Sequence, residues 1–120
     1  MSDRKEIRED LISLLKKLHD KQVIVEGKRD KQALCFFNFN KIITLNKGIY
    51  EAVKKIDEKE VLILTDYDRA GKILAKELNL LLQSLDCKVD RENRRKIGLL
   101  FSRLRIKKIE ELRGVLKWVN

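Results

Sequence analysis

The chain has 120 residues, of which 43% are hydrophobic and 39% are charged, and its formal net charge is +9. This length suits one domain rather than two, and the charged fraction is well above the usual quarter. The positive excess favours a phosphate-rich partner over a small acidic ligand, and nucleic acid over a membrane, because no apolar run approaches the ~18 residues of a transmembrane helix.

The first 20 residues are predicted to form an amphipathic helix that packs on the rest of the domain. Asp3 is placed to cap this helix, with Glu6 three residues further on. The apolar stripe of the helix consists of Ile7, Leu11, Leu14, Leu15 and Leu18. Because this spacing follows one face of a helix, that face is expected to be buried.

Residues 21–90 alternate between short aliphatic runs and helical patterns. The expected strands lie at 23–26, 41–45 and 60–65, and the expected helices at 30–37, 49–56 and 69–85. This alternation is typical of a parallel sheet with right-handed crossovers, and a short fourth strand is expected between Asp86 and Asp90. The predicted fold class is therefore α/β, a Rossmann-like parallel sheet of about four strands with flanking helices and extra N- and C-terminal helices.

Residues 91–120 are predicted to be a basic helical extension of the same domain. Asp90 can cap its first helix, and the two expected apolar stripes are Ile97, Leu100, Phe101 and Leu104, then Ile109, Leu112, Val115, Leu116 and Val119. From residue 86 onwards, 11 Lys and Arg residues stand against five Asp and Glu residues. This excess predicts contacts with backbone phosphates through Arg91, Arg94 and Arg95.

Carboxylates follow two of the predicted strands. Glu26 comes directly after the first strand, and Asp66 and Asp68 follow the third. Because the carboxyl ends of parallel strands share one edge of a sheet, these three side chains are expected to converge there. Converging carboxylates repel one another unless a hard cation lies among them, which predicts a site for Mg²⁺, with Mn²⁺ as a substitute.

The residues around this motif suggest a division of roles. Asp66 and Asp68, two residues apart at a strand end, can share a metal, which leaves Glu26 to act as general acid or base. Lys28 and Arg69 lie where they can meet phosphate oxygens. Gly27 and Gly71 each follow the carboxylates, where a missing side chain permits close packing of the backbone.

Residues 23–30 read V-I-V-E-G-K-x-D and residues 63–71 read I-L-T-D-x-D-x-x-G. Together they resemble the Toprim domain of type IA and type II topoisomerases, bacterial primases, OLD-family nucleases, recombination mediator proteins and the ribonuclease that matures 5S ribosomal RNA. The resemblance covers roughly residues 21–89 and is strongest to the small stand-alone Toprim proteins of bacteria and archaea and to the Toprim part of the 5S RNA maturase. It implies that Glu26 is the acid/base residue, that Asp66 and Asp68 bind Mg²⁺, and that Gly27 and Gly71 are structural glycines.

The chain departs from the Toprim pattern at one position. Topoisomerases and the maturase usually carry a glutamate directly after the second glycine, where this chain has Lys72. The sequence also shows no tyrosine-bearing topoisomerase domain and no zinc module of a primase, so neither activity is expected of this chain alone.

Three functions remain open from the sequence. The first is a Mg²⁺-dependent nuclease or other phosphodiester enzyme, and the second is a non-catalytic nucleic-acid-binding module that works with a separate protein. The third is a phosphotransferase or phosphatase of the haloacid dehalogenase type, which also uses two aspartates after a strand. Its motif normally lies on the first strand and has Thr or Val two places after the second aspartate, where this chain has Ala70.

A cytoplasmic location is expected. The first 21 residues lack the apolar central block of a signal peptide. Cys35 and Cys87 have no metal-type spacing and suit a reducing compartment better than a disulfide framework.

Overall fold

The computed structural model describes residues 3–117, with side chains up to residue 115. The strands are β1 (Gln22–Val25), β2 (Ile42–Thr44), β3 (Glu60–Ile63) and β4 (Lys88–Val89). The helices are α1 (Arg4–Lys17), α2 (Lys28–Cys35), α3 (Ile49–Val53), α4 (Arg69–Ser84), α5 (Arg91–Leu104) and α6 (Leu112–Lys117), with a 3₁₀ turn at Ile109–Glu111 before α6.

The four strands form one parallel sheet in the order β2-β1-β3-β4. This confirms the predicted α/β class and the four-stranded parallel sheet flanked by helices. The two central strands, β1 and β3, are almost wholly buried, as expected for runs of Val, Ile and Leu between two layers of helices. Their carboxyl ends therefore lie side by side in the middle of one edge.

Alternate residues of β1 and β3 supply two separate cores. Val23, Val25 and Leu62, together with Leu64 just after β3, face the layer that contains α1, α2, α5 and the 3₁₀ turn. Ile24, Val61 and Ile63 face α3 and α4 on the other side. The chain thus follows the alternation of strand side chains between the two faces of a sheet.

Helix capping follows the sequence signals closely. Asp3 accepts a hydrogen bond from the backbone N–H of Glu6 at 2.8 Å, and Asp90 accepts one from that of Asn93 at 3.1 Å. These caps satisfy amide donors that the first turn of a helix leaves without partners. The predicted start points of α1 and α5 are therefore confirmed.

Helix α1 packs against α5, so both ends of the chain contribute to the same layer. Val119, which the sequence assigns to the last helix, lies outside the described residues, as does the side chain of Leu116. None of the helices between residues 3 and 117 has the length and apolar character that crossing a bilayer requires.

Candidate metal-binding and catalytic site

Glu26 and Asp66 meet where β1 and β3 end. The Oε2 atom of Glu26 accepts a hydrogen bond from the backbone N–H of Asp66 at 2.8 Å. Both side chains are partly buried. The neighbouring positions of β1 and β3 in the sheet produce this contact between residues 40 positions apart in the sequence.

The Asp66 carboxylate lies in a negative and partly dehydrated environment. Its pKa is raised to about 6, chiefly by burial. A hydrogen bond from the backbone N–H of Ile109 lowers the pKa, and the charges of Glu26, Asp30 and Asp68 contribute to raising it. That hydrogen bond joins the Ile109 nitrogen to Oδ1 of Asp66 at 2.8 Å. A cation beside Asp66 would favour its ionised form.

Asp68 begins helix α4. Its Oδ1 atom accepts a hydrogen bond from the backbone N–H of Gly71 at 2.8 Å. The predicted close packing at Gly71 is extreme, since a Cβ atom built there would lie 2.0 Å from the carbonyl oxygen of Asp66. The buried hydroxyl of Thr65 also donates to the Gly71 carbonyl at 2.7 Å. The tight strand-to-helix turn therefore fixes Asp66 and Asp68 relative to each other.

Gly27 has more space than Gly71, because a Cβ atom there would meet nothing within 4 Å. Its backbone N–H donates to Oδ2 of Asp30 at 3.1 Å, at the start of α2. Gly27 thus helps to hold the Asp30 side chain through its backbone amide. The predicted close approach of chain segments occurs at Gly71 and not at Gly27.

The donor atoms of this edge suit a hard cation in an open arrangement. Within residues 3–117, no three His, Cys, Asp or Glu side chains form a group that would hold a metal ion by themselves. Glu26, Asp66 and Asp68 each use one oxygen for a backbone amide. Mg²⁺ commonly binds through only one or two carboxylates, with water and substrate phosphate completing its shell. The described residues therefore lack the predicted group of three converging carboxylates, and a cation here would need water or a substrate phosphate to complete its shell.

Asp30 is a further acidic residue beside Glu26 and Asp66, with no role predicted from the sequence. Its side chain is only 7% exposed. Burial raises its pKa, the hydrogen bond from Gly27 lowers it, and the charges of Glu26 and Glu110 raise it. The spacing of Gly27 and Asp30 at a helix start is the sequence signal that would have found it.

Four of the five residues predicted to contact phosphate are exposed. Lys28 and Arg69 are the first residues of α2 and α4, and Arg91 and Arg95 lie on the surface of α5. Lys28 and Arg69 thus flank the edge that carries the carboxylates. Arg91 and Arg95 lie on a different helix, one that packs beside β3.

Arg94 has a different environment from the surface position predicted for it. Its Nη1 atom donates to the carbonyls of Ile63 and Thr65 at 3.1 and 2.9 Å, and its Nη2 atom donates to that of Asp66 at 3.2 Å. Its guanidinium group also lies 4.4 Å from the centre of the Tyr67 ring. Arg94 therefore ties α5 to the end of β3, and this structural role corrects its assignment as a surface phosphate contact.

Tyr67 is held between Arg94 and Phe101. Its hydroxyl donates to the Arg94 carbonyl at 2.7 Å, and its ring centre lies 5.0 Å from that of Phe101. Burial raises the pKa of this hydroxyl, against the opposing effect of the Arg94 charge. Although Tyr67 lies between the two aspartates in sequence, it is a packing residue rather than an exposed nucleophile.

We expect Arg94→Met to destabilise the protein by about 2–4 kcal/mol, because it leaves three carbonyls at the end of β3 without their donors. Arg94→Lys should be nearly as destabilising, since an ammonium group cannot reproduce the planar set of N–H donors of a guanidinium group. Urea denaturation would measure both effects. Arg95→Met is the matched control on the exposed face, and equal losses at the two positions would contradict this role of Arg94.

The structure defines a Rossmann-like α/β protein with an acidic edge at the carboxyl ends of its central strands. The chain belongs to the UPF0292 family. It is 42% identical over 96 residues to a UPF0292 protein of Pyrococcus abyssi, an alignment that covers 78% of this chain and 72% of the relative. It is 38% identical over 109 residues to one of Thermococcus gammatolerans, with 87% and 81% covered.

A solved structure of a protein from Aquifex aeolicus has a similar fold. It superposes with a TM-score of 0.72 at 29% sequence identity, over 86% of this chain and 95% of that one. No family model matches the chain. The names of these relatives state no activity, so the chemistry of the site rests on its own geometry.

Proposed function

We propose that this protein is a small Toprim-like enzyme that uses Mg²⁺, or Mn²⁺, to cleave phosphodiester bonds in nucleic acid. The observation that carries the proposal is the contact between Glu26 and Asp66 across the ends of two central strands. Asp68 follows on the next turn and adds to the negative field at Asp66. The net charge of +9 supports a polyanionic substrate.

Each residue of the edge has a distinct task in this proposal. Asp66 and Asp68 would hold the cation. When bound, the cation would neutralise negative charge on the phosphate. Glu26 would take the proton from the attacking water or return it to the leaving oxygen. Lys28 and Arg69, exposed at the starts of α2 and α4, would contact the phosphate oxygens.

The resemblance of residues 23–30 and 63–71 to Toprim domains supports the same assignment. Lys72 is exposed at the position where several of those enzymes carry a further glutamate. The proposal therefore assigns the metal to Asp66, Asp68 and the substrate phosphate, without a further acidic ligand at position 72.

A second candidate function is a non-catalytic nucleic-acid-binding module that acts with a separate protein. It is supported by the hydrogen bonds that engage one oxygen of each carboxylate. Acidic residues that accept backbone amides in this way also serve as helix caps and loop anchors. In this alternative the acidic edge is structural, and the basic surface carries the function.

Calorimetric titration with Mg²⁺, repeated with Mn²⁺, distinguishes the two candidates. We expect the wild-type protein to bind the metal and Asp66→Asn to weaken binding by at least ~10-fold, because loss of outer partners alone commonly costs that much. The asparagine oxygen can still accept the Ile109 amide, so the fold should be preserved.

The matched control is Asp86→Asn, which changes an exposed aspartate with a φ angle of 57°. Asparagine tolerates this left-handed conformation, so metal binding should not change. If neither cation binds the wild-type protein, or if both variants bind it equally well, the metal site is wrong and the non-catalytic module is favoured.

A further inference from the structure

A groove of about 850 Å³ runs between α4 and α5, beside the short strand β4. Strand β4 pairs only with Glu60 and Val61, so it leaves the second half of β3 without a neighbouring strand on that side. Ile63 and Tyr67 line the groove there. The surface is thus concave because β4 ends before β3 does.

The side chains that line the groove are strongly biased in charge. Its exposed basic residues are Lys72, Lys76, Arg91, Arg95, Arg105 and Lys107. Among the lining residues that the structure describes, Asp90 is the one acidic side chain, and it is engaged by Lys21 and by the start of α5. The positive charge of the groove is therefore uncompensated, which favours an anionic polymer.

Two aliphatic side chains lie among these cations. Leu80 of α4 is 58% exposed and Leu99 of α5 is 52% exposed, and both line the groove. A duplex offers mainly phosphates to such a surface because its base faces are stacked inside. An unpaired strand offers phosphates and apolar base faces together.

Asn79 adds a polar feature to the same surface. Its Oδ1 atom is buried and accepts no hydrogen bond within the described part of the chain. An unsatisfied buried acceptor is costly. Asn79 therefore brings an acceptor without a donor among the described residues to the wall of the groove.

One end of the groove lies beside the turn that follows β3. Tyr67, which separates Asp66 from Asp68, is one of its lining residues, and the backbone N–H of Tyr67 donates to the carbonyl of Lys107 at 2.6 Å. Glu26, Asp66 and Asp68 are not among the residues that line the groove.

We infer that this groove binds a single-stranded segment of nucleic acid, with phosphates on the basic side chains and bases against Leu80 and Leu99. The inference rests on the nucleic-acid partner of the proposed function and is independent of its metal chemistry. It specifies the substrate class as an unpaired strand or tail rather than a duplex.

Fluorescence anisotropy with the full chain in EDTA tests this inference without cleavage. The probes are fluorescein-labelled oligothymidylate, oligouridylate, a blunt DNA duplex of the same length and a polyglutamate peptide. We expect at least ~10-fold tighter binding of the single strands than of the duplex, with the sugar preference decided by the first two probes. Affinity should fall steeply as salt is raised.

Charge and apolar variants locate the binding surface. Lys76→Glu and Arg95→Glu should each weaken single-strand binding by at least ~10-fold, whereas Lys55→Glu makes the same charge change at an exposed position outside the groove. Leu99→Ser should weaken the binding of single strands and leave the binding of the duplex unchanged. Circular dichroism would verify that these surface variants remain folded.

The opposite results are equally clear. Equal affinity for duplex and single strand, or no effect of Leu99→Ser, would overturn the assignment of an unpaired strand. Preferential binding of polyglutamate through Lys76 and Arg95 would identify the groove as a site for an acidic protein. Mg²⁺-dependent cleavage with unaltered kinetics in Lys76→Glu and Arg95→Glu would refute the groove while retaining the proposed enzyme.

Discussion

Glu26→Gln is expected to reduce Mg²⁺-dependent cleavage of nucleic acid by at least ~100-fold, since general acid–base catalysis typically contributes 10²–10⁴-fold. The substitution is nearly isosteric, and the glutamine oxygen can still accept the backbone N–H of Asp66 that Glu26 accepts at 2.8 Å. What it removes is the ability to take up and release a proton. Cleavage of a labelled panel of structured and single-stranded RNA and DNA would measure the loss.

The control for this experiment is Glu77→Gln, which alters an exposed glutamate of α4. Its cleavage rate should equal that of the wild type. If Glu26→Gln cleaves as fast as the wild type, Glu26 does not move the proton. A wild-type protein that is inert on the whole panel with both cations would instead favour the non-catalytic module.

Gly71→Ala is expected to destabilise the fold by about 3 kcal/mol or more, at or beyond the upper end of typical overpacking costs. The added Cβ atom would lie 2.0 Å from the Asp66 carbonyl oxygen and 2.5 Å from its carbonyl carbon. These are backbone atoms, so no side-chain rotation can relieve the clash. The turn between β3 and α4 must open, which also displaces the Asp66 carbonyl from Arg94.

Gly114→Ala provides the comparison, because a Cβ atom at Gly114 in α6 would meet nothing within 4 Å. There the change should be neutral or stabilising by about 0.5–1 kcal/mol, the usual advantage of alanine over glycine in a helix. Thermal and urea unfolding of both variants would measure the difference. A Gly71→Ala protein as stable as Gly114→Ala would show that the tight turn is not needed.

The central part of the fold and the meeting of Glu26 with Asp66 follow from local sequence. Short aliphatic runs separated by helical patterns determine a parallel sheet, and such a sheet places the residue after each strand at the same edge. Once β1 and β3 are known to be neighbours, the contact between Glu26 and Asp66 can be predicted from their positions at the strand ends. The position of Asp68 at a helix start follows from the same turn.

The contacts from the C-terminal third were harder to foresee. The Ile109 amide donates to Asp66 from 43 positions further along the chain. Since every residue except proline has such a backbone donor, the residue type does not reveal this contact. Arg94 did leave a signal, because it precedes Ile97 and Phe101 at helical spacing and so belongs to the buried face of α5. Its basic neighbours Arg91 and Arg95 obscured that signal, since composition alone treats the three arginines alike.

Strand β4 covers only the first two residues of β3, so the remainder would be an open edge of the kind that recruits other chains into a continuous sheet. Arg94 occupies two carbonyls of that edge, those of Ile63 and Thr65. Its guanidinium group thus replaces the missing continuation of β4 and discourages intermolecular sheet extension. Light scattering by the Arg94→Met protein would reveal whether self-association accompanies its loss of stability.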